Sequence, residues 1–377
     1  MSGKTISKTK KKVHESNRKN HCIFEKKIKA VDLFCGAGGL TLGLEKAGIN
    51  VMMGIDIDPA CEYPFEANNN AKFLKKSVED VTSQELTDAY GDAEITLLAG
   101  CAPCQPFSTY KLGKSDETDE RWNLLWQFGR MVKETEPDLI TMENVPKLAH
   151  QKVFADFVKS LKALEYYVSF KIVNCADYGV AQQRNRLVLL ASKFGPVSII
   201  PPTVKKSKYK TVRQAISKLP ELGAGERDDK DPLHNSSRLS ELNLARIQCS
   251  KPGRTWRDWP EELIAECHKR KTGKSFPSVY GRMEWDAPAP TMTTQFYGFG
   301  NGRFGHPEQD RAISLREGAI IQSFPKSYKF TPKGKPINRR TVGRLIGNAV
   351  PVKLGQAIGK SFIAHLNALD EQQKTNA

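Results

Sequence analysis

The stretch Asp32-Leu33-Phe34-Cys35-Gly36-Ala37-Gly38-Gly39-Leu40 decides the fold. An apolar strand at 28–34 runs into it, and a helical segment at 40–47 leaves it. A glycine cluster between a buried strand and a helix start lets a ligand approach the backbone closely. A second strand at 50–56 ends in Asp56, 18 residues past Gly38. A carboxylate at that place can accept hydrogen bonds from both ribose hydroxyls, so an adenine nucleoside is expected. The dinucleotide fingerprint G-x-G-x-x-G wants its third glycine at position 41, where Thr41 stands. A dinucleotide also wants its pyrophosphate against the helix N-terminus. Three readings stay open at this point: S-adenosylmethionine, a nicotinamide dinucleotide, or a structural turn. The Gly-Gly turn without a third glycine favours the first.

Working outward, apolar runs at 95–99, 139–143, 168–174 and 187–191 read as further strands. Segments at 59–68, 124–134 and 153–164 read as helices, the second ending before Pro137. Such alternation implies α/β architecture, a doubly wound, Rossmann-like and mostly parallel sheet with helices on both faces. From about 195 the texture changes. Prolines gather at 196, 201, 202, 220, 232, 252, 260, 277, 288 and 290, which suits a second, smaller and irregular domain. Helical texture returns at 315–322 and 341–366. The expected division is a basic tail at 1–27, a catalytic and cofactor domain at 28–195, a second domain at 196–310, and a hinge with a returning helix at 311–377.

With 377 residues and 39% hydrophobic content the chain can bury a substantial core, which excludes a disordered chain or a small disulfide scaffold. No apolar run approaches the roughly 20 residues of a membrane helix, so no membrane partner is expected. The lysine-rich start carries no apolar signal region, and the scattered cysteines read as free thiols in a reducing, cytoplasmic compartment. The pair Cys101 and Cys104 has no second pair to complete a four-ligand zinc site, so no metal is expected. The net charge of +16 favours a polyanionic partner, most often nucleic acid.

Three segments carry candidate chemistry. After the strand at 95–99 comes Gly100-Cys101-Ala102-Pro103-Cys104-Gln105-Pro106-Phe107-Ser108. Cys104 lies in a loop at the carboxyl end of a parallel strand, where ligands of such sheets bind, and flanking prolines stiffen it. That context makes Cys104 a candidate nucleophile, whereas Cys101 reads as a small hydrophobe. The next strand ends in Glu143-Asn144-Val145, placing a carboxyl group in the same crevice. Finally Gln182-Gln183-Arg184-Asn185-Arg186 sets two arginines at i, i+2, on one side of an extended segment. They read as a basic loop or as a clamp on a phosphate or carbonyl oxygen.

Together these segments resemble the DNA (cytosine-5)-methyltransferases. The likeness runs from about 29 to 360. It includes the glycine loop, Pro103-Cys104-Gln105-Pro106-Phe107-Ser108, Glu143-Asn144-Val145, and Gln182 with Arg184 and Arg186. It also includes Arg311 to Glu317 with Phe324-Pro325, and Gly347-Asn348-Ala349-Val350-Pro351. Six motifs in order are highly specific. Ser77-Val78 stands where most members have Asp-Ile, Ser314 where Thr is usual, and Ala102 at a frequent Pro. The C-F-T signature typical of the tRNA-directed branch is not found. A dehydrogenase would leave Cys104, Glu143 and the arginine pair without a task.

The resemblance implies a Rossmann-like sheet dependent on S-adenosylmethionine, with a smaller DNA-recognition domain. It implies that Cys104 attacks C6 of a target cytosine, that Glu143 hydrogen-bonds N3 and the exocyclic amine, and that Arg184 and Arg186 steady the ring and its O2. Phe34, Gly36, Ala37, Gly38, Gly39, Leu40, Asp56, Ile57, Ser77, Val78, Pro103, Leu124, Asn348 and Val350 fall where the family contacts S-adenosylmethionine. The implied partner is double-stranded DNA bound by a monomer in a bacterial nucleoid, with possible pairing to a restriction endonuclease. Lys205, Lys206, Lys208, Lys210, Arg254, Arg257, Lys269, Arg270, Lys271 and Lys274 would grip phosphate, and Thr291 falls at a recognition-region threonine. Trp256, Trp259, Tyr280 and Trp285 are expected to pack as local core.

Overall fold

The computed structural model describes residues 28–103 and 123–376, so the basic tail and Cys104 lie outside the described residues. Strands β1 (Ile28–Leu33), β2 (Asn50–Asp56), β3 (Lys72–Lys75), β4 (Ile95–Gly100), β5 (Leu139–Asn144), β6 (Tyr167–Asn174) and β7 (Asn185–Ser192) form one sheet. Their order is β3-β2-β1-β4-β5-β7-β6. Side chains alternate across each strand, so β1 sends Ile28 and Ala30 into one core and Val31 and Leu33 into the other. A strand buried on both faces is why this segment reads as nearly continuous apolar sequence.

Five helices follow the first strands: α1 (Gly39–Lys46), α2 (Glu62–Glu66), α3 (Ser83–Tyr90), α4 (Asn123–Thr135) and α5 (Lys152–Ala163). Leu86, Phe128, Met131, Phe154, Phe157 and Leu161 from α3, α4 and α5 cover one face of the sheet. The irregular region adds α6 (Val212–Ile216), α7 (Glu241–Cys249) and α8 (Glu266–Lys269). The chain then forms α9 (Leu315–Ile321), α10 (Arg339–Asn348) and α11 (Val352–Asn376). Helix α11 returns to the sheet and packs Leu354, Ile358 and Phe362 with Leu40 and Leu44 of α1 on the other face. The α1 and α11 backbones meet closely: a Cβ at Gly43 would lie 2.5 Å from the Val352 carbonyl oxygen. Among the described residues no helix is long and apolar enough to cross a membrane.

Four details differ from the sequence reading. The strand β7 pairs antiparallel with both β5 and β6. Only ten residues, 175–184, separate β6 from β7, too few for the crossover that a parallel return needs. Strand β3 and helix α3 were not anticipated. β3 has four residues and little periodicity, but α3 carries a capping box between Thr82 and Glu85 that a closer reading of the sequence could use. The segment at 59–68 divides into a 3-10 turn, Pro59–Cys61, and the short α2. The helix expected at 341–366 breaks at Ala349–Pro351, because Pro351 has no N–H and disfavours helical geometry at Val350.

Between 196 and 310 the described chain is held by turns, short helices and isolated bridges. Trp256 and Trp259 are buried with Ile247 and Phe299 in a small cluster, packed against Tyr280. Other apolar residues here, including Val212, Met283, Met292 and Phe304, share a core with Ile313, Phe324, Val342 and Ile346. Packing is therefore continuous across residue 310. Arg282, almost fully buried, donates to the carbonyls of Ile247, Ser250, His306 and Gln309. That replaces the ladder bonds a sheet would have provided.

Candidate active site

The register of the parallel strands brings their carboxyl ends to one edge. Leu33 of β1 pairs with Ile55 of β2 and with Gly100 of β4, and Gly100 pairs with Met142 of β5. The glycine loop, Asp56, the turn after β4 and Glu143 thus emerge side by side. Because β7 runs antiparallel, its beginning meets the end of β5: Asn144 pairs with Leu187. Arg186 thereby reaches the same edge.

In the glycine loop, Phe34 turns the chain at φ 59 and Gly36 and Gly38 follow at φ 54 and 82. Gly36 N–H donates to Asp56 Oδ2 at 2.9 Å, and Asp58 N–H to Oδ1 at 2.9 Å. These bonds fix the carboxylate, while burial pushes its pKa up. Among the described residues a Cβ at Gly36 would meet nothing within 4 Å, so they leave the loop open there. Ile57 beside it is 67% exposed, an apolar side chain left for a flat ring to cover. Thr41, at the place of the missing third glycine, donates to the buried Asp32 carboxyl group at 2.7 Å. Ala37 and Leu40 are buried, with the Ala37 carbonyl taking a hydrogen bond from Tyr328. Gly39 packs against the Val350 carbonyl, which seats Val350 and the exposed Asn348 beside the loop. Val78 is buried, and Ser77 and Leu124 are half-buried. An open glycine loop, a fixed ribose-type acceptor and an exposed apolar side chain fit an adenine nucleoside cofactor.

The chemical half of the site centres on Glu143, 3% exposed. Cys101 Sγ–H donates to Glu143 Oε2 at 3.0 Å. Arg186 Nε lies 2.9 Å from Oε1 as an ion pair whose direction falls short of hydrogen-bond geometry. Neighbouring Asn144 is also buried. Its Nδ2 donates to the Ala102 carbonyl at 2.9 Å and its Oδ1 accepts from Val145 N–H at 2.8 Å. Asn144 therefore anchors the buried Ala102 and the exposed Pro103, the two residues that lead into Cys104.

The two arginines are placed differently. Arg184 is buried and donates from Nη1 to the Met292 carbonyl at 2.9 Å and from Nη2 to the Gly347 carbonyl at 3.0 Å. Its Nε is buried and has no hydrogen-bond partner among the described residues. Burial, and then the nearby Arg186 charge, bring its pKa down to about 9. Residues 181–184 run beside 289–292. Thr291 Oγ1 donates to the Gln183 carbonyl, and Gln182 accepts from Met292 N–H and donates to Gln322. Sequence reading gave no role to Cys101 or Asn144. Position on strand ends next to Glu143 and Cys104 was the available signal for both.

A sheet of this order, with a nucleoside-type loop beside a buried carboxyl group, defines a Rossmann-like α/β methyltransferase. The chain belongs to the C-5 cytosine-specific DNA methylases, whose family profile matches residues 28–364. It is therefore a DNA (cytosine-5-)-methyltransferase. It is 53% identical over 347 residues to the Type II methylase M.HgiDII of Herpetosiphon aurantiacus, covering 91% of this chain and 97% of that one. Type II methyltransferase M1.HphI of Haemophilus parahaemolyticus is 31% identical over 351 residues, covering 91% and 88%. Among solved structures, a prophage-encoded DNA modification methyltransferase from E. coli superposes with a TM-score of 0.68 at 21% identity, covering 90% of this chain and 99% of that one. The Entamoeba histolytica methyltransferase EhMeth superposes at 0.63 with 16% identity, covering 90% and 99%. These two likenesses concern the fold.

Proposed function

We propose that this enzyme methylates C5 of a cytosine flipped out of a specific double-stranded DNA sequence, through a covalent bond between Cys104 and C6, using S-adenosylmethionine. The observation that carries this reading is the Glu143 carboxyl group held between Cys101 and Arg186, with Asn144 tying the same strand end to the segment entering Cys104.

Unaided, C5 of cytosine is too weak a nucleophile to take a methyl group. Addition of the Cys104 thiolate to C6 pushes the ring π electrons toward C5 and N3, making C5 nucleophilic. In its protonated form Glu143 donates a hydrogen bond to N3 and Arg186 donates to O2, which offsets the negative charge that builds during attack. S-adenosylmethionine, when bound, supplies an electrophilic methyl group on sulfur. Asp56 holds its ribose, the 36–40 loop its methionine end, and Ile57 its adenine. Once C5 is alkylated, its proton passes to water and Cys104 leaves C6 by β-elimination, restoring the ring and the thiolate. In a duplex C6 is out of reach, so the base leaves the stack at a cost of a few kcal/mol. Lys205, Lys206, Lys208, Lys269, Arg270 and Lys271 are exposed and suit the phosphate contacts that hold the duplex meanwhile. A Type II methylase at 53% identity supports pairing with a cognate endonuclease in a bacterial cytoplasm.

The test is duplex DNA carrying 5-fluorocytosine at the target, presented with S-adenosylmethionine. Fluorine blocks the final elimination, so the wild type is expected to form a denaturation-resistant adduct and Cys104→Ala none. Turnover without trapping, or methylation by Cys104→Ala, overturns the covalent route. The target sequence itself follows from mapping 5-methylcytosine in plasmid DNA from expressing cells.

A further inference from the structure

Cys101 is three residues from the proposed nucleophile, yet its surroundings give it a different task. It stands at the end of β4, half-buried, and its sulfur is 3.0 Å from Glu143 Oε2. Burial, and then the Glu143 carboxyl group, push its pKa well above the usual thiol range. Such a thiol keeps its proton and serves as a donor, not as a nucleophile. The Glu143 carboxyl group would otherwise be poorly fixed. Its Oε1 lies beside Arg186 without hydrogen-bond alignment, so the thiol is the aligned side-chain donor on this carboxyl group among the described residues.

We propose that Cys101 is a positioning residue for methyl transfer: its S–H fixes the plane of the Glu143 carboxyl group so that the group faces the flipped cytosine. A thiol suits this place. It is a weak donor, so it orients the carboxyl group without holding it as firmly as a second arginine would. It is also small, and the next residue, Ala102, is buried with its carbonyl held by Asn144. Glu143 is thus bracketed by β4 through Cys101 and by β7 through Arg186, and two neighbouring strands set its direction. The proposal rests on the role given to Glu143 above.

The test compares single-turnover methyl transfer and steady-state kinetics in Cys101→Ala, Cys101→Ser and Glu143→Gln. Cys101→Ala is expected to slow methyl transfer about tenfold, as for loss of one hydrogen bond, with the KM for DNA within about twofold of wild type. Among the described residues, Arg184, Arg186 and Cys175 also interact with the Glu143 carboxyl group, and all are retained in the variant. Cys101→Ser restores a donor and should recover most of the rate. Thermal unfolding of each variant separates a folding defect from a kinetic one. A wild-type rate of methyl transfer in Cys101→Ala overturns the proposal. So does equal loss in a folded Cys101→Ser, which would mean that the sulfur matters only as packing. If Glu143→Gln is fully active, the role of Glu143 fails, and the purpose of the positioning with it. If Glu143→Gln is inactive while Cys101→Ala is normal, only the positioning role fails.

Discussion

The Cα of Gly39 lies so close to the Val350 carbonyl that a Cβ built there would sit 2.3 Å from the oxygen. This approach joins the first motif of the chain to the last. It places the break between α10 and α11 against the glycine loop, where the closing segment would form one wall of the proposed cofactor pocket. Gly39→Ala must push Val350 away or tilt α1. The strain should cost about 1–3 kcal/mol, read as a lower midpoint in denaturant. Affinity for S-adenosylmethionine should fall more than stability alone explains, by roughly tenfold in a calorimetric titration. Unchanged affinity would show that Val350 and Asn348 do not shape the pocket.

Asp32 makes a different kind of prediction. Burial raises its carboxyl group to about 7; the Thr41 hydrogen bond opposes the rise and the nearby Asp56 charge adds to it. Its Oδ1 is buried with no hydrogen-bond partner. Between its unfolded value near 4 and 7, the folded chain holds a proton that the unfolded chain has released. Stability therefore falls as pH rises through this window and levels off above it. Asp32→Asn removes the effect, so the stability of wild type relative to this variant should decline by a few kcal/mol between pH 4 and 7. His306, held down to about 4 chiefly by burial, titrates in the same window with the opposite sign. It is present in both proteins and cancels in the difference. Parallel curves from denaturant titrations at several pH values would refute the shift.

How much of this was legible in the sequence depends on how local the signal is. Strands β1, β2, β4 and β5 announce themselves as apolar runs, because burial on both faces leaves few polar positions, such as Asp32, Asp56 and Glu143. The glycine loop is equally plain, since turns at φ 54 and 82 favour glycine. The direction of β7 was not legible, because periodicity says nothing of direction; only the short connection hints at it. Nor was the separation of Arg184 from Arg186. Spacing i, i+2 puts both on one side of the chain, but Met292 and Gly347, more than a hundred residues later, supply the carbonyls that occupy Arg184. Cys101 resembled any small apolar residue until the strand pairing set it beside Glu143.

The Arg311–Glu317 pair underpins the irregular region. Both side chains are fully buried, and the guanidinium makes two bonds of 2.8 Å to the carboxylate. Burial opposes ionisation of Glu317, but the Arg311 bonds and charge, His306 and Ser314 N–H outweigh it and hold the pKa at about 2. The folded value is depressed, so this contribution is complete above the unfolded value near 4.5 and is lost as pH falls toward 2. Arg311→Met strands a buried carboxylate and should cost about 3–5 kcal/mol at neutral pH. Adding Glu317→Leu to it should recover much of that loss, because the unpaired charge goes too. Equal instability of the single and double variants would mean that the pair acts through shape.

Arg184 and Arg186, two positions apart, should fail in different ways. Arg184 bonds the Met292 and Gly347 carbonyls and so ties the irregular region to the end of α10. Arg184→Ala leaves two buried carbonyls without their donors, a loss of about 1–3 kcal/mol for each. Its first symptom should be a lower unfolding midpoint, with weaker DNA binding following from a looser junction. Arg186 makes its ion pair with Glu143 at the pocket edge and is 12% exposed. Arg186→Ala also leaves the buried Glu143 carboxyl group without its ion-pair partner and so lowers the midpoint, but its larger effect should be a loss of roughly 100-fold or more in kcat, the scale seen when one charge-stabilising donor is removed. Arg186→Lys restores the charge but not the planar fork and should recover only part of the rate. The discriminating measurement is the pair of ratios, midpoint and kcat, for each variant. If Arg184→Ala kept its midpoint and lost turnover as Arg186→Ala does, both guanidinium groups would have to face the base, and the carbonyl clamp would be an incidental contact.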